Sequence, residues 1–310
     1  MRIAISGTSG FLGSHLVSYF LKQGHVVIPI FRHGVLSGSD SGNIFASESD
    51  ESLSQQFHHM AVDVLILVGA ADTRSDTVSE ATLLINGNVL TPTRLLAAAH
   101  SAGVNRIVTI GSSWQEQYGD GYQPWDLYAA TKQAFNSIAH HYANAGCSIV
   151  ELQLFDTYGP KDTRAKIYNL MIDAAIKGEE IGLSPGDQSM HLVHVRDVCT
   201  AVEDAIPVSA GAGIQSLRVD SDSAISVRDL ANLIQELVPT FTFALGAREY
   251  RQNEIMNPRS RHPRPIGWHP TISLSDGISE CILAKSSDSN ERDLAHIKHA
   301  SNNMSSPNSN

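Results

Sequence analysis

The sequence contains little cysteine. Cys147, Cys199 and Cys281 are the only three in 310 residues, and they form no CxxC pair. The sequence therefore indicates neither a disulfide framework nor a zinc site, and it favours a reducing compartment. His191 and His194 form an HxxH pair, but three positions apart in a predicted strand they face opposite sides. We therefore predict no metal site.

Long apolar runs and blocks of basic residues are also absent. The longest apolar run, VLILVGAA (64–71), is far too short to span a bilayer, and MRIAISGTSG at the N-terminus lacks a signal-peptide core. A formal net charge of −10 argues against nucleic acid or an anionic membrane as the main partner. The composition, 42% hydrophobic and 17% charged, is typical of a globular protein. We expect a soluble, cytoplasmic protein that binds a small molecule.

Strand-like and helix-like patterns alternate through the first half of the chain. This alternation predicts an α/β fold, a Rossmann-type doubly wound parallel sheet with helices on both faces. The long helical pattern at 79–102 contains Pro92, which either kinks one helix or starts a second one. The predicted strands are 2–6, 26–30, 64–70, 106–112 and 148–155, and the other predicted helices are 15–24 and 128–146.

The patterns also suggest how the chain is divided. We expect a dinucleotide-binding domain at 1–157, to which late elements near 190–220 return, and a mainly substrate-binding lobe at 158–285. Residues 35–54 are rich in Ser, Asp and Glu and predict a mobile loop with at most a weak strand at NIFA. Residues 286–310 have too few large apolar side chains to form a core and predict a disordered tail.

A glycine-rich turn follows the first predicted strand and precedes a helix. GTSGFLG (7–13) has glycines at every third position, so its backbone N–H groups and the helix dipole can hold a phosphate. This context predicts a dinucleotide site that includes the following residues: Gly7, Ser9, Gly10, Phe11, Leu12 and Gly13.

The end of the second strand bears on the choice of cofactor. NAD-binding folds place an acidic residue there to bind the adenosine ribose, whereas this sequence has Phe31 and then Arg32. A guanidinium pairs with a 2′-phosphate and a carboxylate repels it, so the sequence favours NADP(H) over NAD(H).

Tyr128 and Lys132 lie one turn apart on the predicted helix LYAATKQAFNSIAHH. A free tyrosine titrates near about pH 10, and a unit charge about 4 Å away is worth roughly 4 kcal/mol at an effective dielectric of about 20. Lys132 can therefore make Tyr128 a better proton partner near neutral pH. Ser112, in GSSW at the end of a predicted strand, stands where open α/β folds bind ligands.

Ser112, Tyr128 and Lys132, in this order after a GxxGxxG turn, resemble the extended branch of the short-chain dehydrogenase/reductase superfamily. DVLILVGAA, NVLTPTRLLAAA, LFDTYGP, HLVHVRDV and IGWHP also match that branch, over about residues 1–285. The resemblance implies that Lys132 binds the nicotinamide ribose, Tyr128 exchanges a proton with the substrate oxygen, and Ser112, or alternatively Ser113, binds that oxygen. It also implies a homodimer and further cofactor contacts at Gly69, Ala70, Ala71 and Asn88.

The segments around these residues narrow the expected reaction. Sugar 4,6-dehydratases of the branch carry an Asp-Glu pair after the catalytic hydroxyl, whereas Ser113 and Trp114 stand here. The chain is most similar to the CDP-4-dehydro-dideoxyglucose reductases (CDP-paratose and CDP-abequose synthases), which reduce a 4-keto group with NADPH. That resemblance makes Ser113, Trp114, Arg164 and Lys166 candidate contacts for a nucleotide sugar. An NAD-dependent 4-epimerase and an NADP(H)-sensing regulatory protein are the alternatives.

Overall fold

The computed structural model describes residues 1–32, 42–73, 77–116, 121–206 and 211–287. Within them the strands are β1 (Arg2–Ser6), β2 (Val26–Phe31), β3 (Ile44–Phe45), β4 (Val64–Leu67), β5 (Arg106–Ser112), β6 (Ser148–Leu154), β7 (Asp156–Tyr158), β8 (Glu180–Gly182), β9 (Ser189–Met190), β10 (Leu192–His194), β11 (Gly213–Val219), β12 (Ile225–Ser226) and β13 (Thr242–Ala244). The helices are α1 (Phe11–Lys22), α2 (Asp50–His59), α3 (Val78–Ile85), α4 (Thr91–Ser101), α5 (Leu127–Asn144), α6 (Ile167–Lys177), α7 (Val195–Ala205), α8 (Val227–Leu237) and a last helix, α9, over 274–287.

Seven parallel strands form the central sheet, in the order β11-β6-β5-β4-β1-β2-β3. Alternate residues of β1 point to opposite faces, so Ala4 joins a core with α2, α4 and α5, while Ile3 and Ile5 join a core with α1 and α7. Because both faces are covered, these strands read as apolar runs rather than as alternating patterns. The predicted doubly wound Rossmann-type fold is confirmed.

Two local expectations from the sequence need correction, and a third is confirmed. α1 begins at Phe11, four residues earlier than predicted, directly after the glycine turn. α2 begins at Asp50, inside the segment predicted as a mobile loop, because the Ser49 side chain caps it and Leu53 and Phe57 bury its apolar face. NIFA does contain the short strand β3.

The helical pattern at 79–102 is divided by a π-type turn at Asn86–Leu90. α3 ends before this turn and α4 starts after it, with Pro92 in the first turn of α4. Thr91 N–H bonds to Asn86 O, five residues back, so the helical run continues from α3 through this turn into α4. Pro92 therefore starts the segment α4, and it does so within a continuous helical run that the π-type turn interrupts.

Contacts within the chain divide it into two units. The first unit comprises Met1–Thr157, Ser189–Ala224 and Ile255–Thr271, and it contains the central sheet. The described part of the second unit comprises Tyr158–Gln188, Ile225–Glu254 and 272–287, and it pairs β8 with β13 in parallel. Within the described part of the chain, the helices are too short or too polar to cross a bilayer. All but the first two residues of the predicted tail (286–310) lie outside the described residues, as do 35–41 of the predicted loop.

Candidate active site

The glycine turn joins β1 to α1 within a very tight backbone path. Gly7 has a φ of +68°, which a residue with a side chain rarely adopts. A Cβ at Gly13 would lie 2.0 Å from the Gly7 carbonyl oxygen, so only glycine fits there. Gly10 precedes α1 and offers no side-chain cap, and the N-terminus of a helix favours a bound anion.

The other residues of the turn divide into exposed and packed positions. Ser9 and Gly10 are exposed, whereas Phe11 is half-buried and Leu12 packs against the core. Thr8 was not among the predicted site residues, yet its Oγ1 is buried and lacks a hydrogen-bond partner among the described residues. A buried hydroxyl without a partner next to a glycine cradle fits a bound phosphate that would supply the missing acceptor.

The segment after β4 lies directly against the glycine turn. Ser6 Oγ accepts hydrogen bonds from the N–H groups of Val68 at 3.0 Å and Gly69 at 3.2 Å. A Cβ at Gly7 would be only 2.6 Å from Gly69 Cα, so two glycines meet here. The predicted cofactor residues at 69–71 are thus brought next to the glycine turn, with Ala70 exposed at the surface.

Asn88 is almost fully buried, 1% exposed, and connects this segment to α5. Its Oδ1 accepts from Ala71 N–H at 2.8 Å, and its Nδ2 donates to Ala71 O and to Thr131 Oγ1, both at 3.0 Å. What the structure shows for Asn88 is therefore a positioning contact, while its predicted part in cofactor binding stays a prediction.

Lys132 and Tyr128 lie on the face of α5 that meets the end of β5. Lys132 Nζ donates to the Ile110 carbonyl oxygen at 2.9 Å and lies 5.9 Å from the centre of the Tyr128 ring. Lys132 is 7% exposed. Burial lowers the pKa of Lys132 from its ordinary 10.5 to about 8, and nearby Glu151 and Asp72 act in the opposite direction. The sequence spacing thus does place an ammonium beside the phenol.

Both candidate serines are buried at the end of β5. Ser112 ends the strand, and its Oγ accepts from Trp114 N–H at 3.2 Å, so it caps the short 3₁₀ turn Ser113–Gln115. Trp114 places its ring 6.5 Å from the Tyr128 ring, edge to face. The structure therefore gathers Ser112, Ser113, Trp114, Tyr128 and Lys132 around one strand end, and the choice between the two serines stays open.

Arg32 is exposed directly after β2, beside the half-exposed Phe31. The carboxyl ends of β1 and β2 are adjacent, since Ser6 pairs with Ile30 in the parallel register. Arg32 therefore extends from the same sheet edge as the glycine turn. That location is compatible with contact to a dinucleotide held at the turn.

Arg164 and Lys166 lie in the second unit. Arg164 forms a two-pronged ion pair with Asp162, whose side chain is fully buried: Nε to Oδ1 is 2.8 Å and Nη2 to Oδ2 is 2.7 Å. The Tyr168 hydroxyl also donates to Asp162. Lys166 is the residue before α6, and its side chain makes no capping hydrogen bond. The structure thus gives Arg164 a structural contact, and substrate binding by these two residues stays a prediction.

A buried polar network under the strand end was not expected from the sequence. It is centred on Glu151 in β6 and Gln115 in the 3₁₀ turn, which are 3% and 0% exposed. Two features of the sequence indicated it. Ser112 and Gln115 have the S-x-x-Q spacing of a capping box, and Glu151 is the only charged residue of the strand β6.

Ligands for a metal ion do not cluster in the described ranges: no group of three or more His, Cys, Asp or Glu is arranged to hold one. Of the HxxH pair, His194 caps α7 by accepting from Arg196 N–H, while His191 contacts Ser221.

Comparisons with known proteins identify the family and the fold. A model of the NAD dependent epimerase/dehydratase family matches residues 3–211. The CDP-abequose synthase of Yersinia pseudotuberculosis is 28% identical over 288 residues, covering 92% of this chain and 99% of that protein. The CDP-abequose synthase of Salmonella typhimurium LT2 is 27% identical over 294 residues, covering 90% and 97%. MoeE5 in complex with UDP-glucose and NAD has the same fold, with a TM-score of 0.79 at 23% identity and coverage of 93% and 99%.

Proposed function

The chain belongs to the NAD-dependent epimerase/dehydratase family, and on that premise we propose that it reduces the 4-keto group of a nucleotide-linked deoxysugar with NADPH. That it is an NAD(P)-dependent enzyme of the extended short-chain dehydrogenase/reductase type follows from the family match and the fold. The observation that carries the proposal is the Lys132 ammonium beside Tyr128 at the strand edge that also bears the glycine turn.

The residues at the end of β5 and on α5 have distinct roles in this reaction. When bound, the reduced nicotinamide supplies the hydride that the carbonyl carbon accepts. The Tyr128 hydroxyl donates the proton to the carbonyl oxygen, and Ser112 or Ser113 donates a hydrogen bond to that oxygen. The Lys132 ammonium stabilises the tyrosinate that remains and binds the nicotinamide ribose.

The substrate class rests on three supports. Two relatives at 28% and 27% identity are named CDP-abequose synthases, and MoeE5, which shares the fold, is solved in complex with UDP-glucose. No Asp-Glu pair follows Ser112, so the carboxylates that dehydration requires are missing from this position. Ser113 and Trp114 are proposed to contact the sugar, and Arg164 and Lys166 the diphosphate. A homodimer and a cytoplasmic location are further proposals that follow from the family resemblance.

The direct test measures loss of NADPH absorbance with a panel of CDP-, dTDP- and GDP-linked 4-keto deoxysugars. We expect turnover by the wild type with a CDP-linked substrate, and a loss of about a thousandfold in kcat for Tyr128→Phe with NADPH affinity retained. Tyr122→Phe is the control, because that tyrosine is 57% exposed. No turnover of any keto sugar, with equal NADPH binding by wild type and Tyr128→Phe, would instead indicate a regulatory sensor.

The second candidate is a 4-epimerase that keeps NAD bound, oxidising and re-reducing one carbon. The NAD in the solved neighbour favours this reading, while Arg32 in place of an acidic residue favours NADPH. Mass spectrometry of the cofactor that co-purifies with the protein separates the two. Retained oxidised NAD would support the epimerase.

A further inference from the structure

We propose that Glu151 and Gln115 form a positioning pair for the candidate active site: Gln115 fixes the strand end that bears Ser112, and the Glu151 carboxylate keeps the Lys132 ammonium charged. The pair lies beneath that site, and it is assigned from contacts on β5, β6 and α5. Only the kinetic part of its test rests on the proposed function.

Gln115 connects three elements through one side chain. Its Oε1 accepts from Ser112 N–H at 2.8 Å, and its Nε2 donates to Glu151 Oε1 at 3.1 Å and to Gln133 Oε1 at 2.9 Å. Gln133 is the neighbour of Lys132 on α5. A single amide therefore ties the serine end of β5 both to the strand beside it and to the helix that carries the lysine and tyrosine.

The Glu151 carboxylate accepts hydrogen bonds from side chains on three sides. Besides Gln115, Ser216 Oγ on β11 donates to its Oε2 at 2.7 Å and Gln153 Nε2 lies 3.3 Å from the same oxygen. Three side-chain donors thus surround one buried carboxylate inside the sheet, and each of them is satisfied by one of its oxygens.

The side chains of Glu151 and Gln115 occupy the space beside Gly111 where a Cβ would otherwise lie. A Cβ at that position would lie 2.7 Å from Glu151 Oε1 and 2.8 Å from Gln115 Oε1. The missing side chain of Gly111 is thus replaced by the carboxylate and the amide. This arrangement places them one residue from Ile110, whose carbonyl accepts from Lys132.

The charge has a direct consequence for Lys132. Among the described residues, the groups bearing on its ammonium are Tyr128 on α5, Asp72 after β4 and Glu151 on β6. Burial lowers the pKa of Lys132 to about 8, and Glu151 is the larger of the two opposing influences. Without Glu151 the lysine would lose its proton at lower pH, and with it the charge that Tyr128 needs.

The test is Glu151→Gln, which removes the charge and keeps the shape. Lys132 is followed by NMR of ¹³C-methylated lysines, assigned with Lys132→Arg, in the protein with and without NADPH. We expect the midpoint of the Lys132 titration to fall by about one pH unit or more. The pH at which kcat decreases on the alkaline side of its profile should fall with it. Glu151→Asp should restore both in part. Gln115→Leu should lower kcat about tenfold and leave the pH profile in place.

The control is Ser148→Ala, because Ser148 is a buried polar residue at the first position of the same strand. This substitution should change neither the Lys132 titration nor kcat. A Lys132 titration that stays in place in Glu151→Gln overturns the electrostatic part, whether or not the protein reduces keto sugars. If Glu151→Gln does not fold, Glu151→Asp carries the same test with a smaller shift. Unchanged kcat in Gln115→Leu overturns the positioning part.

Discussion

Two cationic side chains that were predicted to be functional, one in each unit, have different hydrogen-bond partners. In the first unit the Lys132 ammonium donates to a neutral carbonyl, that of Ile110. In the second unit the Arg164 guanidinium is paired through two nitrogens with the buried Asp162. A carbonyl partner leaves the ammonium charge available to a neighbouring group, whereas a two-pronged carboxylate largely neutralises the guanidinium. The partner of a cation therefore says more about its role than its position in a motif does.

The largest effect expected from this comparison is on activity. Lys132→Met should lower kcat by about a thousandfold, because it removes the charge that makes Tyr128 a proton partner. Initial rates of NADPH oxidation check it. Lys22→Met, an exposed lysine at the end of α1, is the control. A kcat within threefold of wild type would place the chemistry elsewhere.

The same substitution should raise stability. The folded state lowers the pKa of Lys132 to about 8 from 10.5, so the unfolded chain binds more protons between these values. Wild-type stability therefore rises with pH across that window, and the deficit below it amounts to at most about 3 kcal/mol. Lys132→Met should be the more stable protein at pH 7 and lose that advantage as the pH rises above the window. Denaturant unfolding of wild type and Lys132→Met at pH 7 and above pH 10.5 measures the difference in their free energy of unfolding. A Lys132→Met protein that is less stable than wild type at pH 7 would contradict this expectation.

In the second unit the effect should fall on stability. Asp162→Ala should lower the free energy of unfolding by about 2 kcal/mol, because it removes the carboxylate that accepts from both the Arg164 guanidinium and the buried Tyr168 hydroxyl. Asp173→Ala is the matched control, since its ion pair with Lys285 is partly exposed and should be worth less than about 1 kcal/mol. Thermal or denaturant unfolding compares them, and equal losses would remove the distinction.

The smallest effect concerns a third cation, Arg32, which is exposed after β2. If it pairs with a 2′-phosphate, Arg32→Asp should shift the ratio of NADP to NAD affinity by about tenfold or more toward NAD. Fluorescence titration of both cofactors measures the ratio. Lys22→Asp gives the same change in net charge away from the site. An unchanged ratio would remove the support that Arg32 gives to NADPH.

The fold and the central features of the candidate site could be predicted because they depend on local patterns. The glycine spacing and the Tyr128–Lys132 interval each describe one turn of backbone, and apolar strands mark a sheet covered on both faces. The contacts of Glu151 with Gln115 and Ser216 could not be predicted, since they join residues 36 and 65 positions apart. Helix α2 was missed because its cap and charged first turn resemble a polar loop when considered without Leu53 and Phe57.

The π-type turn at Asn86–Leu90 limits which insertions and deletions this region can accept, in evolution or in protein engineering. A π-turn accommodates one residue more than an α-helix does, and here that extra residue directs Asn88 to Ala71 and Thr131. Deleting one residue would turn the wide turn into a regular α-turn, and the path that carries Asn88 to Ala71 and Thr131 would be lost. Length changes should therefore be rejected in this segment.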